Sequence, residues 1–414
     1  MDNTPISPVH PTLKTHQNTI NLWQIISAVL LIALIITGVQ YFEKTKTLPI
    51  VGKQFSAQSS SAKTPIDAVK KLIEDEYKGS NPSDAQIQDG LAKGYVSALG
   101  DKYSMFLNKA ENEALFSSID EKYVGIGIVF EAKEDRIAIT KVFDTSPAKD
   151  VGLVVGDAIT AVGDKKVSEY VPTDTATKDI KGPEGSSVVL TVLKADSSVV
   201  KLTVQRRQIQ LPLTELTWVN NYQTAVIRVN SFGSTLDAEF AQDIKSINTE
   251  PRAKHVVIDL RDNGGGYLQS AVDIVSHFVR PNQLVTKEES RKTAVEHKTS
   301  TKLDTAYDLP IAILVNKNTA SASEITALAL KELKSATVVG EKTYGKGVVQ
   351  SVFSGNDIFK DGQSLKLTTA EWLGPNGTKI NLVGITPDVL IAEKDDALKI
   401  MTDSFDWQTK TLKK

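Results

Sequence analysis

A serine and a lysine are the side chains of this sequence best placed to do covalent chemistry together. Ser321 lies in Val315-Asn316-Lys317-Asn318-Thr319-Ala320-Ser321-Ala322-Ser323-Glu324, where an apolar, strand-like run (Ile311 to Val315) gives way to a helix-like one (Ile325 to Leu333). It therefore falls at a strand-loop-helix junction. Lys346 lies in Thr343-Tyr344-Gly345-Lys346-Gly347-Val348-Val349-Gln350, after a short β-like run from Thr337 to Val339. Glycine on both sides lets the backbone approach closely. A serine hydroxyl is a poor nucleophile until a base takes its proton, and lysine is that base only when neutral. The ordinary lysine pKa of about 10.4 must then fall by about three units, a differential of roughly 4 kcal/mol, through burial in a water-poor site. The valine-rich run after Lys346 can supply such burial. If Gly347 to Gln350 is extended, Lys346 and Gln350 point the same way, and Gln350 can accept from the lysine and aim it at Ser321. A tetrahedral intermediate also needs amide donors. Helix amides around Ala322 are one source, and the turn at Gly264 and Gly265, held by Asn263, is a second.

Each feature has a plainer rival. Ser321-Ala322-Ser323-Glu324 fits a capping box, in which the serine only satisfies helix amides and Glu324 reaches back. Gly340-Glu341-Lys342-Thr343-Tyr344-Gly345-Lys346 matches the opening of a phosphate-binding P-loop. Gly347 then replaces the magnesium-holding Ser or Thr, and β-branched residues follow where a helix should start, which argues against nucleotide binding. Gly264-Gly265-Gly266 lacks dinucleotide-loop spacing. Histidine offers no better base: His255 starts a strand, His277 lies in a helix and His297 in a polar stretch.

The elements that must position these residues belong to a chain of 414 residues with 41% hydrophobic composition, enough for two or three domains. A formal charge of -2 provides no basic field for nucleic acid. The absence of cysteine removes disulfides, thiol nucleophiles and cysteine-rich metal sites together, and fits an exported protein. Leu22 to Phe42 is apolar, and no Lys, Arg, Asp or Glu lies between Lys14 and Glu43. About 20 such residues span the hydrocarbon core of a bilayer. Gly38-Val39-Gln40-Tyr41-Phe42 is a poor cleavage site, so an uncleaved anchor is expected, preceded by a short segment (1–21). Lys44 and Lys46 oppose the positive-inside rule, but long domains translocate despite such charges. The expected location is a cell membrane, single-pass, with the catalytic part on the extracytoplasmic side.

Residues 43–64 read as a flexible linker rich in Ser, Ala, Gln and Lys. From 65 to 119 the pattern turns helical. Ile66, Val69, Leu72 and Ile73 share one face, and Ile87, Leu91, Tyr95 and Leu99 another. This helical arm needs a cover for its apolar stripe, either the next domain or a second copy in a homodimer. Between 120 and 207 short strands alternate with turns: Gly127 to Glu131, Arg136 to Val142, Ala158 to Val162, Ser187 to Leu193 and Val199 to Val204. Ser146 to Ile159 resembles the signature of PDZ domains. Tyr123-Val124-Gly125-Ile126-Gly127-Ile128 resembles their carboxylate-binding loop, whose amides hold a peptide's C-terminus while the peptide adds a strand to the sheet edge. From 208 to 395 strands and helices alternate in α/β order, with Lys254 to Leu260 a strand and Leu268, Val272, Val275 and Val279 one face of a helix. Val348 to Phe353 and Ser364 to Thr369 are β-like, and 396–414 reads as a terminal helix and tail.

With these pieces in place, the chain resembles the carboxyl-terminal processing, or tail-specific, peptidases over nearly all of residues 65–395. The resemblance rests on Leu99-Gly100-Asp101-Lys102-Tyr103-Ser104, the Tyr-x-Gly-Ile-Gly loop, the PDZ signature, Asp259 to Gly265, Thr319 to Glu324, Gly345 to Gln350, and Gly384-Ile385 with Pro387-Asp388. It implies Ser321 as nucleophile, Lys346 as general base, Gln350 as its orienting partner, and oxyanion donors at Gly264, Gly265 and Ala322. It also implies a multidomain α+β and α/β fold with a ClpP/crotonase-like peptidase core, and no metal or organic cofactor. The family often has arginine before the Gly-Pro turn of the PDZ domain; here Lys181 precedes Gly182-Pro183, and lysine cannot reproduce a bidentate guanidinium contact. The expectation is a membrane-anchored serine endopeptidase that cuts protein substrates with exposed C-termini, near those termini, after the PDZ domain engages an apolar tail. The rival is a PDZ-bearing scaffold that binds tails without cleaving them.

Overall fold

The computed structural model describes residues 64–412 except 301–307, 335 and 393–395. Segment 1–21, the expected anchor from Leu22 to Phe42 and nearly all of linker 43–64 lie outside these residues. Among the described residues no helix is long and apolar enough to cross a membrane. The chain divides into two units between Ser83 and Asp84. In the first, helix α1 (Pro65–Glu76) opens with a capping box between Thr64 and Asp67 and with proline in its first turn. Ile66, Val69, Leu72 and Ile73 are all exposed.

The second unit starts with α2 (Asp84–Ser97), strand β1 (Met105–Leu107) and α3 (Lys109–Ile119). β1 corrects the helical expectation for this stretch. It buries Phe106 and Leu107, and three residues are too few for a period to be read.

The next module is β-rich, as its turn spacing predicts. Strand β2 (Lys122–Gly125) leads into β3 (Ile128–Lys133), β4 (Arg136–Val142), β5 (Ala158–Val162), β6 (Lys165–Lys166), β7 (Ser187–Leu193) and β8 (Val199–Gln205). The sheet runs β3-β4-β5-β7-β8, with β6 on β5, so β3 leaves one edge open. Along β7, Val188, Leu190 and Val192 point into the core while Ser187 and Val189 face out. β2 takes no part in that sheet. It pairs antiparallel with β9 (Arg207–Gln210), Lys122 opposite Gln210 and Gly125 opposite Arg207, so the chain enters and leaves the module through one two-stranded ribbon.

The remaining strands are β10 (Thr214–Val219), β11 (Thr224–Val229), β12 (His255–Asp259), β13 (Leu284–Ser290), β14 (Ala294–Lys298), β15 (Ile311–Val315), β16 (Thr337–Gly340), β17 (Val348–Ser354), β18 (Ser364–Leu373), β19 (Val389–Leu390), β20 (Phe405–Asp406) and β21 (Thr411–Leu412). Helices α4 (Leu236–Thr249), α5 (Leu268–Ser276), α6 (Ala322–Lys334) and α7 (Ala397–Ser404) lie among them. The main sheet has the order β10-β11-β12-β15-β16-β19 and is parallel from β11 onward. Its alternation sorts two cores. Ile311, Ile313 and Val315 pack with Phe240 of α4, Val275 of α5 and Leu328 of α6. Ala312 and Leu314 face the other side, against Met401 of α7 and Phe405. Every residue of β15 is buried, as suits a central parallel strand covered on both faces. A second sheet carries β1-β18-β13-β14, with β17 along β18.

Candidate active site

Ser321 bridges the end of β15 and the start of α6. Thr319 Oγ1 donates to Leu260 O at 2.9 Å and Ala320 N to Asn263 O at 3.0 Å, so the turn is held by the strand next door. Ser321 itself sits at φ +59°, a left-handed conformation that costs a non-glycine residue on the order of 1 kcal/mol. Only half of the rival capping box forms. Ser321 N donates to Glu324 Oε2 at 2.9 Å, while no helix amide donates to Ser321 Oγ, and the residue lines a cavity of about 470 Å³.

Lys346 lines the same cavity. The glycines beside it are required by close approach: a Cβ on Gly345, at φ +84°, would lie 2.7 Å from Gly384 N, and one on Gly347 would lie 2.6 Å from Asn381 N. Trp372 Nε1 donates to Lys346 O at 3.0 Å. The side chain runs inward until Nζ stands 5.1 Å from the centre of the Tyr103 ring. Burial lowers the lysine pKa to about 8, helped by the charge of Lys366 and opposed by Tyr344, Glu324 and Asp101. No hydrogen bond joins Ser321 Oγ to Lys346 Nζ in this structure; what joins the two residues is Glu324. Its fully buried carboxylate accepts from Ser321 N and Lys346 N at one oxygen, each at 2.9 Å, and from Gly345 N at 2.8 Å and Thr343 Oγ1 at the other. The glutamate read as a cap thus ties the serine turn to the lysine loop.

Gln350 lines the cavity too, but its Nε2 donates to Thr368 Oγ1 at 3.2 Å, and the expected contact with Lys346 is not made. The β17-β18 register shifts between Val349 and Gln350, which turns Gln350 toward Thr368. Thr368 N in turn donates to Ser104 Oγ at 2.9 Å. The Asp101 to Ser104 loop is thereby fastened to the lysine-bearing strands, a link that sequence spacing cannot reveal.

The oxyanion expectation divides. Asn263 is buried and its Nδ2 donates to Val229 O at 2.7 Å, while Gly265 N donates to Asn263 Oδ1 at 2.8 Å. The Gly265 amide is therefore occupied. Gly265 instead serves by lacking a side chain: at φ +100° its Cβ would meet Ala320 O, Ala322 N and Ser321 Cβ, each at 2.8 Å. Gly264 and Ala322 line the same cavity as Ser321. Phe116 and Ile119 of α3, with Leu268, Ile325, Val349 and Trp372, make the apolar wall. Phe116 stacks on Tyr267 at 6.5 Å. The helical region thus shapes the cleft, which its sequence did not announce.

In the β-rich module Tyr123, Val124 and Gly125 are committed to the ribbon with β9, and the Ile126 side chain is buried in the module's core. The loop proper is Ile126 and Gly127. Gly127, at φ +81°, lies against Ser146, leaving no room for a Cβ. Ile128 then opens the edge strand β3. Lys181 is exposed. The cation that holds its turn is Arg206, buried, donating to Ile180 O and Asp179 O at 2.7 Å and to Ser187 O and Ser186 Oγ at 2.9 Å. The rivals fare poorly. β17 follows the P-loop-like stretch where a helix would be needed, His255 stacks on Trp407, and His277 and His297 pair with Asp237 and Glu288. Among the described residues no cluster of His, Cys, Asp or Glu could hold a metal ion.

The model of peptidase family S41 matches residues 223–391, and that of the PDZ domain matches 124–206. The chain is 33% identical over 373 residues to a "Probable CtpA-like serine protease" of Staphylococcus aureus (strain MSSA476), covering 89% of this chain and 72% of that one. A protein of the same description from Staphylococcus haemolyticus (strain JCSC1435) is 34% identical over 326 residues, 78% of this chain and 64% of that one. Among solved structures, a putative S41 protease from Bacteroides fragilis NCTC 9343 superposes with a TM-score of 0.50 at 16% identity, covering 83% of this chain and 92% of that one.

Proposed function

The chain belongs to peptidase family S41, and from that premise we propose that it cuts protein substrates near their C-termini with Ser321 as nucleophile and Lys346 as general base. It is a serine endopeptidase with a PDZ domain, similar to the C-terminal processing proteases. The observation that carries the proposal is the shared cavity, lined by Ser321, by a lysine with its pKa lowered to about 8, and by Gly264 and Ala322. Proton transfer requires Lys346 Nζ to leave the Tyr103 ring and approach Ser321 Oγ. The neutral amine then takes the hydroxyl proton as Oγ bonds to the scissile carbonyl carbon, and the amides of Gly264 and Ala322 hold the oxyanion. The ammonium returns that proton to the departing amine, and a water activated by the same lysine releases the acyl group. Gln350 acts through Thr368, as a positioning residue.

The PDZ domain takes the substrate's apolar C-terminal tail along the open edge of β3, with the carboxylate at Ile126 and Gly127. Leu22 to Phe42 holds the enzyme in the cell membrane with the peptidase on the extracytoplasmic side, and the exposed stripe of α1 is the surface for a second copy. The test uses the full chain in detergent and an unstructured protein ending in Val, Ala or Leu, followed by mass spectrometry. Cleavage is expected from the wild type and not from Ser321→Ala or Lys346→Ala. Tail binding without cleavage by the wild type would replace this reading with the scaffold.

A further inference from the structure

Eight lysines of the described residues are half-buried, and the way they are neutralised singles out two. Lys93, Lys122, Lys194, Lys287, Lys331 and Lys334 each pair with an acid. Lys346 and Lys366 do not, and both line the catalytic cavity. Lys346 has a proposed chemical reason to be there; Lys366 has none so far. It lies on β18 between Met105 of β1 and Val352 of β17, and Val348, Val349 and Val352 of β17 line the same cavity. An aliphatic residue in that position would pack without the cost of desolvating a cation. The carboxylate that acts on it electrostatically, Asp101, already accepts from Tyr103 N and Ser104 Oγ. Burial pushes the Lys366 pKa down, as for an ammonium without a counter-ion. With Lys346 neutral when it acts as the base, Lys366 is a cation without a counter-ion in a cleft lined also by Phe116, Ile119, Leu268 and Trp372, a site complementary to an extended chain with one negative group among apolar ones.

The geometry points to Lys366 as a carboxylate-binding subsite of the cleft, which engages an acidic side chain or the terminal carboxylate of the substrate polypeptide. This rests on the peptidase reading given above. It adds a charge requirement inside the cleft to the apolar requirement at the PDZ groove, so a substrate would be chosen twice, by its tail and by the segment being cut.

The test is a set of quenched fluorescent peptides sharing one apolar tail, with Glu or Gln placed in turn at each position around the scissile bond. A second pair ends in a free acid or an amide. kcat/KM is measured with the full-length wild type, Lys366→Met and Lys366→Arg. The expected result is a preference of about tenfold for the Glu peptide at one position in the wild type, the magnitude of one charge-assisted contact. That preference is abolished in Lys366→Met and largely kept in Lys366→Arg. If the terminus is the source, the acid-to-amide ratio collapses in Lys366→Met instead, while the Glu-to-Gln ratio stays near one throughout. Either pattern supports the subsite. Ratios unchanged by Lys366→Met overturn it, including the case where that variant only moves the pH profile, since Lys366 would then act on Lys346 and not on substrate. Should Lys366→Met fail to melt cooperatively, Lys366→Gln is read by the same ratios. Equal cleavage by Ser321→Ala would refute Ser321 as the nucleophile, and with it the reading on which the subsite rests, and is distinguishable from a loss of charge preference.

Discussion

The pH dependence of cleavage follows directly from the placement of Lys346. With its pKa lowered to about 8 by burial and by Lys366, about a tenth of the lysine is neutral at pH 7, about half at pH 8 and about nine-tenths at pH 9. A solvated lysine would be neutral in roughly one molecule in 3,000 at pH 7, so the cavity raises the active fraction by roughly 300-fold. Measured as kcat/KM against a neutral peptide between pH 6 and 10, the rate should climb about tenfold per unit below pH 8 and flatten above it. A profile flat from pH 6 to 9, or a midpoint beyond pH 10, would refute the assignment of Lys346 as a buried base. The same shift has a consequence for stability. The folded pKa lies below the unfolded one, so between about pH 8 and 10.5 the unfolded chain holds a proton that the folded chain lacks, and stability rises with pH across that window. Below pH 8 the fold carries the whole cost of the protonated amine, on the order of 3 kcal/mol. Lys346→Met should therefore be inactive yet melt above the wild type at pH 7, with the gap closing as pH approaches 10.5.

Two substitutions test the scaffold around Ser321 and Lys346. Glu324→Gln turns an amide NH2 toward two of four donors whichever way it is oriented; losing those bonds costs about 2–4 kcal/mol, and the loosened geometry should lower kcat/KM by about 100-fold or more. Activity within a factor of a few of the wild type would show that Glu324 is only a cap. Gly265→Ala places a methyl group against Ala320 O, Ala322 N and Ser321 Cβ, so kcat should fall far more than KM rises; a normal kcat in the folded variant would contradict the close approach.

Much of the architecture was legible because it is periodic or punctuated. β4, β5, β7 and β15 have the ends their residues announce, since alternation and flanking turns mark a strand locally. The stretch from Leu236 to Thr249 went unread as a helix, and β1 was hidden in a helical reading because its reason to be extended is a partner strand far along the chain. At the site, Ser321 and Lys346 declare themselves through their neighbours. The roles of Glu324, Thr368 and Lys366 do not, because each depends on what lies across a gap of at least 18 residues in sequence. The Gly265 amide is a related case: Asn263 is legible as the residue that holds the turn, but that it does so by taking the Gly265 amide, leaving none for an oxyanion, shows only in the fold. Lys181 drew attention as the residue before a Gly-Pro turn, while Arg206, far from it in sequence, does the holding.

The β2-β9 ribbon makes the PDZ module an insertion and not a link in series. Both crossings of the chain occur side by side, Gly125 opposite Arg207, and α3, whose Phe116 and Ile119 wall the cleft, ends just before the first of them. Replacing 126–206 by a tight turn would close a hairpin that already exists, leaving the path of the peptidase chain unbroken. The enzyme is in that sense portable: its catalytic body and its PDZ module are separable by one excision, and another module with neighbouring termini could be grafted into the same doorway.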